Sequence, residues 1–338
     1  MRGVNYSFVE TAEAAVAQFS KTGSSARYIA GGTNIYDLMK LGIEHPAHLI
    51  DISRIEGLDT IETSGDVLRF GSRALMADVA HDPVVREQYP VLAESLLKAA
   101  SQQLRNMATV GGNLLQRTRC MYFRNGAGSS SMVGVYPCNK RNPGSGCAAI
   151  DGLDRTQAVL GTSDACTAVA PGDWPVALMA LDAVIEILGP KGTRNVPVAD
   201  FYRLPKDTPH KEFNLEPGEL VTAITVPKSS VGRASTYHKI RDRESYAFAL
   251  VSAAVAVEMS GESIHSARIA LGGVATTPWR ASAAERVVSG MVLTPELALE
   301  AGHAAFAGAR TGRQNAFKTE LGARVVADAL MIAAQRRA

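Results

Sequence analysis

All four cysteines of the chain, Cys120, Cys138, Cys147 and Cys166, fall in one stretch that carries no hydrophobic periodicity. Four such residues placed so tightly in a chain of 338 are read as a set. Gly126 to Ser131 and Asn142 to Gly146 are rich in Gly and Ser, so the stretch is expected to be an irregular loop. A chain of this length builds a core without disulfides. Met1 to Glu10 shows neither a basic region followed by an apolar core nor a twin-arginine pair, which points to synthesis in a reducing compartment and shifts weight to metal ligation. The intervals between the cysteines match neither the compact ferredoxin run nor the paired Cys-x-x-Cys of a zinc ribbon. An iron–sulfur cluster suits a glycine-rich loop that can bend around an inorganic core and donate N–H groups to sulfur. Structural zinc, and disulfides or unrelated buried thiols, are the alternatives.

The length suggests two or three domains at roughly 150 residues each. With 46% hydrophobic and 20% charged residues, this is the composition of a folded protein rather than a disordered one. The net charge of +2 comes without a long basic run, so nucleic acid is not an expected partner. Apolar stretches such as Phe248 to Val257 stop short of the ~20 residues of a membrane span. The expected location is the cytoplasm, or the periplasm by co-export with a signal-bearing partner.

Along the chain, the pattern predicts a helix over Thr11 to Phe19, a turn at Gly23 to Ser25, a strand at Tyr28 to Ala30, a helix from Ile35 to Leu41 and a strand at His48 to Ile52. Val67 to Gly71 reads as a strand, and Leu75 to Ala80 and Pro90 to Leu104 as helices. Val176 to Ala180 is helical, with strands at Ala183 to Leu188 and Glu219 to Pro227 and a polar break at Lys228 to Gly232. Strands at Ala234 to Ile240, Ala247 to Glu258 and Ser263 to Leu271 then precede a helical tail from Ala281, broken near Gly290 and Gly312. Strands followed by helices indicate an α+β fold.

Gly31-Gly32-Thr33-Asn34 joins a strand to a helix start, where glycine permits close approach and successive N–H groups can bind phosphate. By itself this is equally a plain turn, and it is neither a Rossmann fingerprint nor a P-loop. A second loop of the same kind, Ala108 to Leu114, precedes the cysteine stretch, and two loops can hold a diphosphate from two sides.

Six segments together resemble the FAD-binding subunits and domains of the molybdenum hydroxylases, which include xanthine dehydrogenase, carbon monoxide dehydrogenase and aldehyde oxidoreductases. They are Tyr28 to Ile35, Ala108 to Asn113, Asp173 to Ala183, Gly218 to Pro227, Tyr237 to Arg241 and Arg268 to Ala275, in the family's order. Most of that family runs directly from the second glycine loop into the aspartate-containing helix. Here residues 117–168 intervene with all four cysteines. The insertion resembles the branch whose flavin subunit holds an additional [4Fe-4S] cluster, similar to the periplasmic aldehyde oxidoreductases and the β subunit of 4-hydroxybenzoyl-CoA reductase, and Arg119 to Arg124, Pro137 to Lys140 and Gly161 to Cys166 resemble the former more closely.

The resemblance implies a two-subdomain FAD-binding fold followed by a C-terminal antiparallel sheet plus helices, divided at 1–55, 56–228 and 229–338. It implies FAD on Tyr28, Ile29, Ala30, Gly31, Gly32, Thr33, Asn34 and Ile35, with Thr109, Gly112 and Asn113 at its far end. Asp173 would meet a ribose or adenine edge, although by position it is equally a helix cap. Val221 would lie along the flavin, or be a plain strand residue. Lys239 would place positive charge near the flavin, or be a solvated strand lysine; His238, on the opposite face of the strand, receives no chemistry. Cys120, Cys138, Cys147 and Cys166 would hold the cluster. No histidine pair has metal-ligand spacing, and Gly-x-Ser-x-Gly is absent, so no catalytic residue is assigned. The implied role is an electron-transfer subunit, active only in a heterotrimer with a molybdenum-cofactor large subunit and a [2Fe-2S] small subunit and passing electrons to an external acceptor. A 4-hydroxybenzoyl-CoA reductase subunit and a free-standing flavin oxidase with a zinc loop are the rival readings.

Overall fold

The computed structural model describes residues 3–125 and 135–336; the expected glycine loop at Gly126 to Ser131 lies outside them. The N-terminal part is a parallel three-stranded sheet of β1 (Asn5–Phe8), β3 (His48–Asp51) and β2 (Ala26–Ile29), with β3 central. Helix α1 (Ala12–Thr22) starts at Thr11, whose Oγ1 accepts from the Ala14 N–H at 3.1 Å and satisfies one of the free donors of the first turn. It buries Ala15, Val16 and Phe19 against Ile50, Ile52 and Leu220. Helix α2 (Ile35–Lys40) follows the first glycine loop.

The middle part is an antiparallel sheet ordered β4 (Ile61–Glu62), β5 (Val67–Gly71), β8 (Leu220–Pro227), β6 (Val184–Gly189) and β7 (Gly192–Pro197). Helices α3 (Met76–His81), α4 (Pro83–Gln88), α5 (Pro90–Leu97), α6 (Gln102–Arg105), α7 (Val110–Leu114), α8 (Met121–Arg124), α9 (Trp174–Ala180) and α10 (Val198–Phe201) complete it. Every residue of α9 is buried, so its sequence shows no polar face. The single helix expected over Pro90 to Leu104 is in fact α5 and α6. Ala100 takes a positive φ of 50°, and Ser101 caps α6 by accepting from the Leu104 N–H at 3.3 Å. The apolar spacing continues through the break, which is why periodicity alone does not show it.

The C-terminal part is an antiparallel sheet ordered β12 (Trp279–Arg280), β11 (Ser263–Gly272), β10 (Val251–Ser260) and β9 (Ser235–Ile240), backed by α11 (Ser282–Val288), α12 (Pro295–Ala304) and α13 (Phe317–Gln335). β10 is buried on both faces: Ala253, Val255 and Val257 pack in the core shared with those helices, whereas Ala254 and Ala256 join the core of the middle sheet. The strand expected from Ala247 begins only at Val251, and residues 247–250 remain irregular where they border a cavity.

Candidate functional site

Gly31 brings the two glycine loops together. A Cβ on it would lie 1.8 Å from the Met107 carbonyl oxygen, so only glycine lets the first loop pass against the backbone that leads into the second. Gly32 beside it has a φ of +70°, the left-handed region. In the second loop Thr109 caps α7, its Oγ1 accepting from the Gly112 N–H at 3.1 Å, and Gly111 packs on Ser72 where a Cβ would come to 2.7 Å.

Between the loops and the C-terminal sheet lies a cavity of about 530 Å³. Thr33, Asn34, Gly112, Asn113, Asp173 and Lys239 line it, and Arg119, Tyr246 and Phe248 border it as well. Tyr246 and Phe248 are 56% and 45% exposed, leaving aromatic surface at the border. The Oδ1 atom of Asn113 is buried with no protein donor. Tyr28, Ile29, Ala30, Gly31, Gly32, Ile35, Thr109 and Val221 do not line this cavity. Tyr28 instead donates to the Gly218 carbonyl at 2.7 Å, and Val221 is buried in β8 opposite Ile187.

Asp173 occupies the cap position of α9 but makes no capping bond with its side chain. It accepts from the Tyr237 hydroxyl at 2.6 Å and from Lys239 Nζ at 2.8 Å, and Tyr237 also contacts Ser252 Oγ at 2.8 Å. Lys239 is therefore a buried ion-pair partner, its side chain 1% exposed, rather than a solvated strand lysine. It and Arg241 both donate to the Lys98 carbonyl at the C-terminal end of α5, at 2.9 and 3.0 Å, where cations are favoured. Burial pushes the Asp173 carboxyl above the ordinary range, against the pull of Lys239, Tyr237 and Arg241. Tyr237 had a sequence signal: strand alternation puts it on the face of Lys239 and Arg241, away from His238.

The four cysteines converge, as free thiols, on one small cavity. Cys138 and Cys147 face each other across a two-residue antiparallel bridge, with Gly144 and Gly146 at positive φ in the turn between them. Asn139 ties this turn to the last arm, accepting from the Gly146 N–H at 2.8 Å and donating to the Ala165 carbonyl at 3.1 Å. Arg141 staples the first arm through the carbonyls of Tyr122, Phe123 and Tyr136. N–H groups reach two of the sulfurs, from Gln157 Nε2 to Cys120 at 3.5 Å and from Ala168 N to Cys166 at 3.4 Å. Burial raises both thiols, Cys166 to about 11 against the opposing charge of Lys140. Among the described residues, no group of three or more His, Cys, Asp or Glu side chains is arranged to hold a single metal ion.

A further cavity of about 290 Å³ joins the two regions. It shares Arg119, Asp173, Asp242, Ala247 and Phe248 with the large cavity, and Cys120 and Gln157 with the thiol cavity. Gln157 carried no sequence signal, because its neighbours here come from distant segments; Arg119 lay in a segment of the family resemblance without a role of its own.

The family model described as "FAD binding domain in molybdopterin dehydrogenase" matches residues 2–229, and that of the "CO dehydrogenase flavoprotein C-terminal domain" matches residues 235–332. The aldehyde oxidoreductase FAD-binding subunit PaoB of Escherichia coli (strain K12) is 47% identical over 333 residues, covering 98% of each chain. The carbon monoxide dehydrogenase medium chain of Afipia carboxidovorans is 29% identical over 82% of this chain and 77% of its own. Among solved structures, carbon monoxide dehydrogenase from Hydrogenophaga pseudoflava aligns with a TM-score of 0.77 at 28% identity, covering 100% of this chain and 99% of that one.

Proposed function

The chain belongs to the FAD-binding family of the molybdopterin dehydrogenases, and from that premise we propose that it is the FAD- and [4Fe-4S]-carrying electron-transfer subunit of a heterotrimeric molybdenum-dependent aldehyde oxidoreductase. The observation that carries this reading is the juxtaposition of a large cavity at two glycine loops with four thiols around a neighbouring one.

The residues fit FAD. Thr33, Asn34, Gly112 and Asn113 offer polar contacts at the cavity wall, and the diphosphate would lie against the turn that Gly31 and Gly32 make just before Thr33. Tyr28 ties the strand that leads into the first loop to the Gly218 carbonyl, and Thr109 holds the second loop through the Gly112 N–H. Asp173 retains acceptor capacity beyond its two bonds, and Lys239 keeps a positive charge at the cavity wall. Bound there, FAD would supply reversible redox chemistry, taking electrons that originate at the molybdenum subunit and arrive through a [2Fe-2S] subunit, for an external acceptor.

The donor set also fits a cluster. Four cysteines line one cavity, and four thiolates are the ligand set of such a cluster. N–H groups already aimed at sulfur would favour the charged ligands. Burial raises the Cys120 and Cys166 thiols, so ligation through them would release protons.

The 47% identity to an aldehyde oxidoreductase subunit supports an aldehyde as the complex's substrate. Among the described residues no helix is long and apolar enough to cross a membrane. The test is flavin bleaching. Aldehydes should leave the isolated chain oxidised and reduce its flavin once both partner subunits are added; reduction in the rigorously purified chain alone would overturn the electron-transfer reading. Single Cys→Ser changes at positions 120, 138, 147 and 166 should each lower the iron content.

A further inference from the structure

Gln157 is 1% exposed, in the wall between the thiol cavity and the cavity that reaches toward the glycine loops. Its Nε2 lies 3.5 Å from Cys120 Sγ, while its Oε1 has no protein donor. Its main chain is pinned: the Gln157 N–H donates to the Asp154 carbonyl at 2.8 Å, and its own carbonyl accepts from the buried Lys318 Nζ at 3.0 Å. Lys318 also donates to the Gly273 carbonyl at 2.7 Å, so helix α13 and the C-terminal sheet fix where this amide stands. A ligating thiolate has no proton to give, so only the N–H end of the amide can bond it. An apolar side chain of the same length would fill the space without a stranded oxygen; what the amide adds is the N–H to sulfur.

We infer that Gln157 tunes the reduction potential of the [4Fe-4S] cluster, raising it by donating a hydrogen bond to the Cys120 ligand, an inference that rests on the cluster reading above. The extra electron of the reduced cluster increases negative charge on sulfur, and an N–H dipole aimed at that sulfur stabilises the reduced form. Backbone N–H groups of Tyr122 and Phe123 also reach Cys120, and Lys140 lies near Cys166, but among these Gln157 is the side-chain donor to a ligand sulfur.

The experiment is a redox titration of the assembled complex, following the cluster by electron paramagnetic resonance, in wild type and Gln157→Met. Loss of the donor should disfavour reduction about tenfold, a fall of about 59 mV for a one-electron couple. An unchanged or higher potential with full iron content overturns the inference. If Gln157→Met loses its cluster, wild type labelled with nitrogen-15 at the glutamine side-chain amide decides: hyperfine coupling to the reduced cluster supports the bond, and its absence overturns it. Wild-type chain that carries no iron after anaerobic preparation overturns the cluster reading itself, a different result from iron present with no shift.

Discussion

The two adjacent glycines of the first loop do different work. At Gly31 an added methyl group would overlap the Met107 carbonyl, whereas at Gly32 it would meet only the Ile29 side chain, at 3.5 Å, and the cost comes from the positive φ. Gly31→Ala should therefore push the loops apart, destabilise by about 3 kcal/mol through overpacking, and lose FAD on gel filtration. Gly32→Ala should cost about 1–2 kcal/mol and keep more of the flavin. Equal retention by the two variants would contradict the assignment of the close approach to Gly31. The sequence pointed to both glycines and could not rank them, because the opposing atom is on residue 107. The buried Asp173–Lys239 pair gives a second residue-scale expectation. Lys239→Met strands the carboxylate and should cost about 3–5 kcal/mol, and Lys239→Met/Asp173→Leu should recover most of the loss because Tyr237 keeps its Ser252 contact. Denaturation midpoints of the two variants check this.

Elements were legible where one physical signal dominated. Val67 to Gly71 is the strand expected of it, and the continuous apolar run of β10 reflects burial on both faces. Short pieces such as β1, β4, β7 and α4 escaped, since runs of two to six residues hold too little periodicity to separate from a turn. The break between α5 and α6 was hidden for the opposite reason, a helical spacing that persists across it. Ala100 carries the strain of that break at φ 50°, a conformation that costs an L-residue about 1–2 kcal/mol. Ala100→Gly should raise stability by about 0.5–1 kcal/mol, the relief being partly offset by the greater freedom of glycine in the unfolded chain. A thermal midpoint that falls instead would mean that the methyl group packs at the cavity wall it lines.

At the scale of the molecule, the large cavity takes its walls from segments spread between Thr33 and Phe248, so a ligand there bridges the N-terminal, middle and C-terminal parts. Removing FAD should lower the thermal midpoint of the whole chain, and added FAD should restore it progressively, worth about 2.7 kcal/mol at a hundredfold excess over the dissociation constant. A midpoint insensitive to FAD would argue that the cavity is not the flavin site. By itself the sequence determined the α+β order of elements, the two glycine loops and the grouping of the cysteines, because each is local: alternation, turn chemistry and composition act over a few residues. Only the tertiary structure decided that Gly31 faces Met107, that Asp173 serves Tyr237 and Lys239 rather than its own helix, and that Gln157 meets Cys120. Those partners are distant in the chain, and a buried charge or amide is committed to one of them only when packing excludes water and leaves no other donor or acceptor within reach.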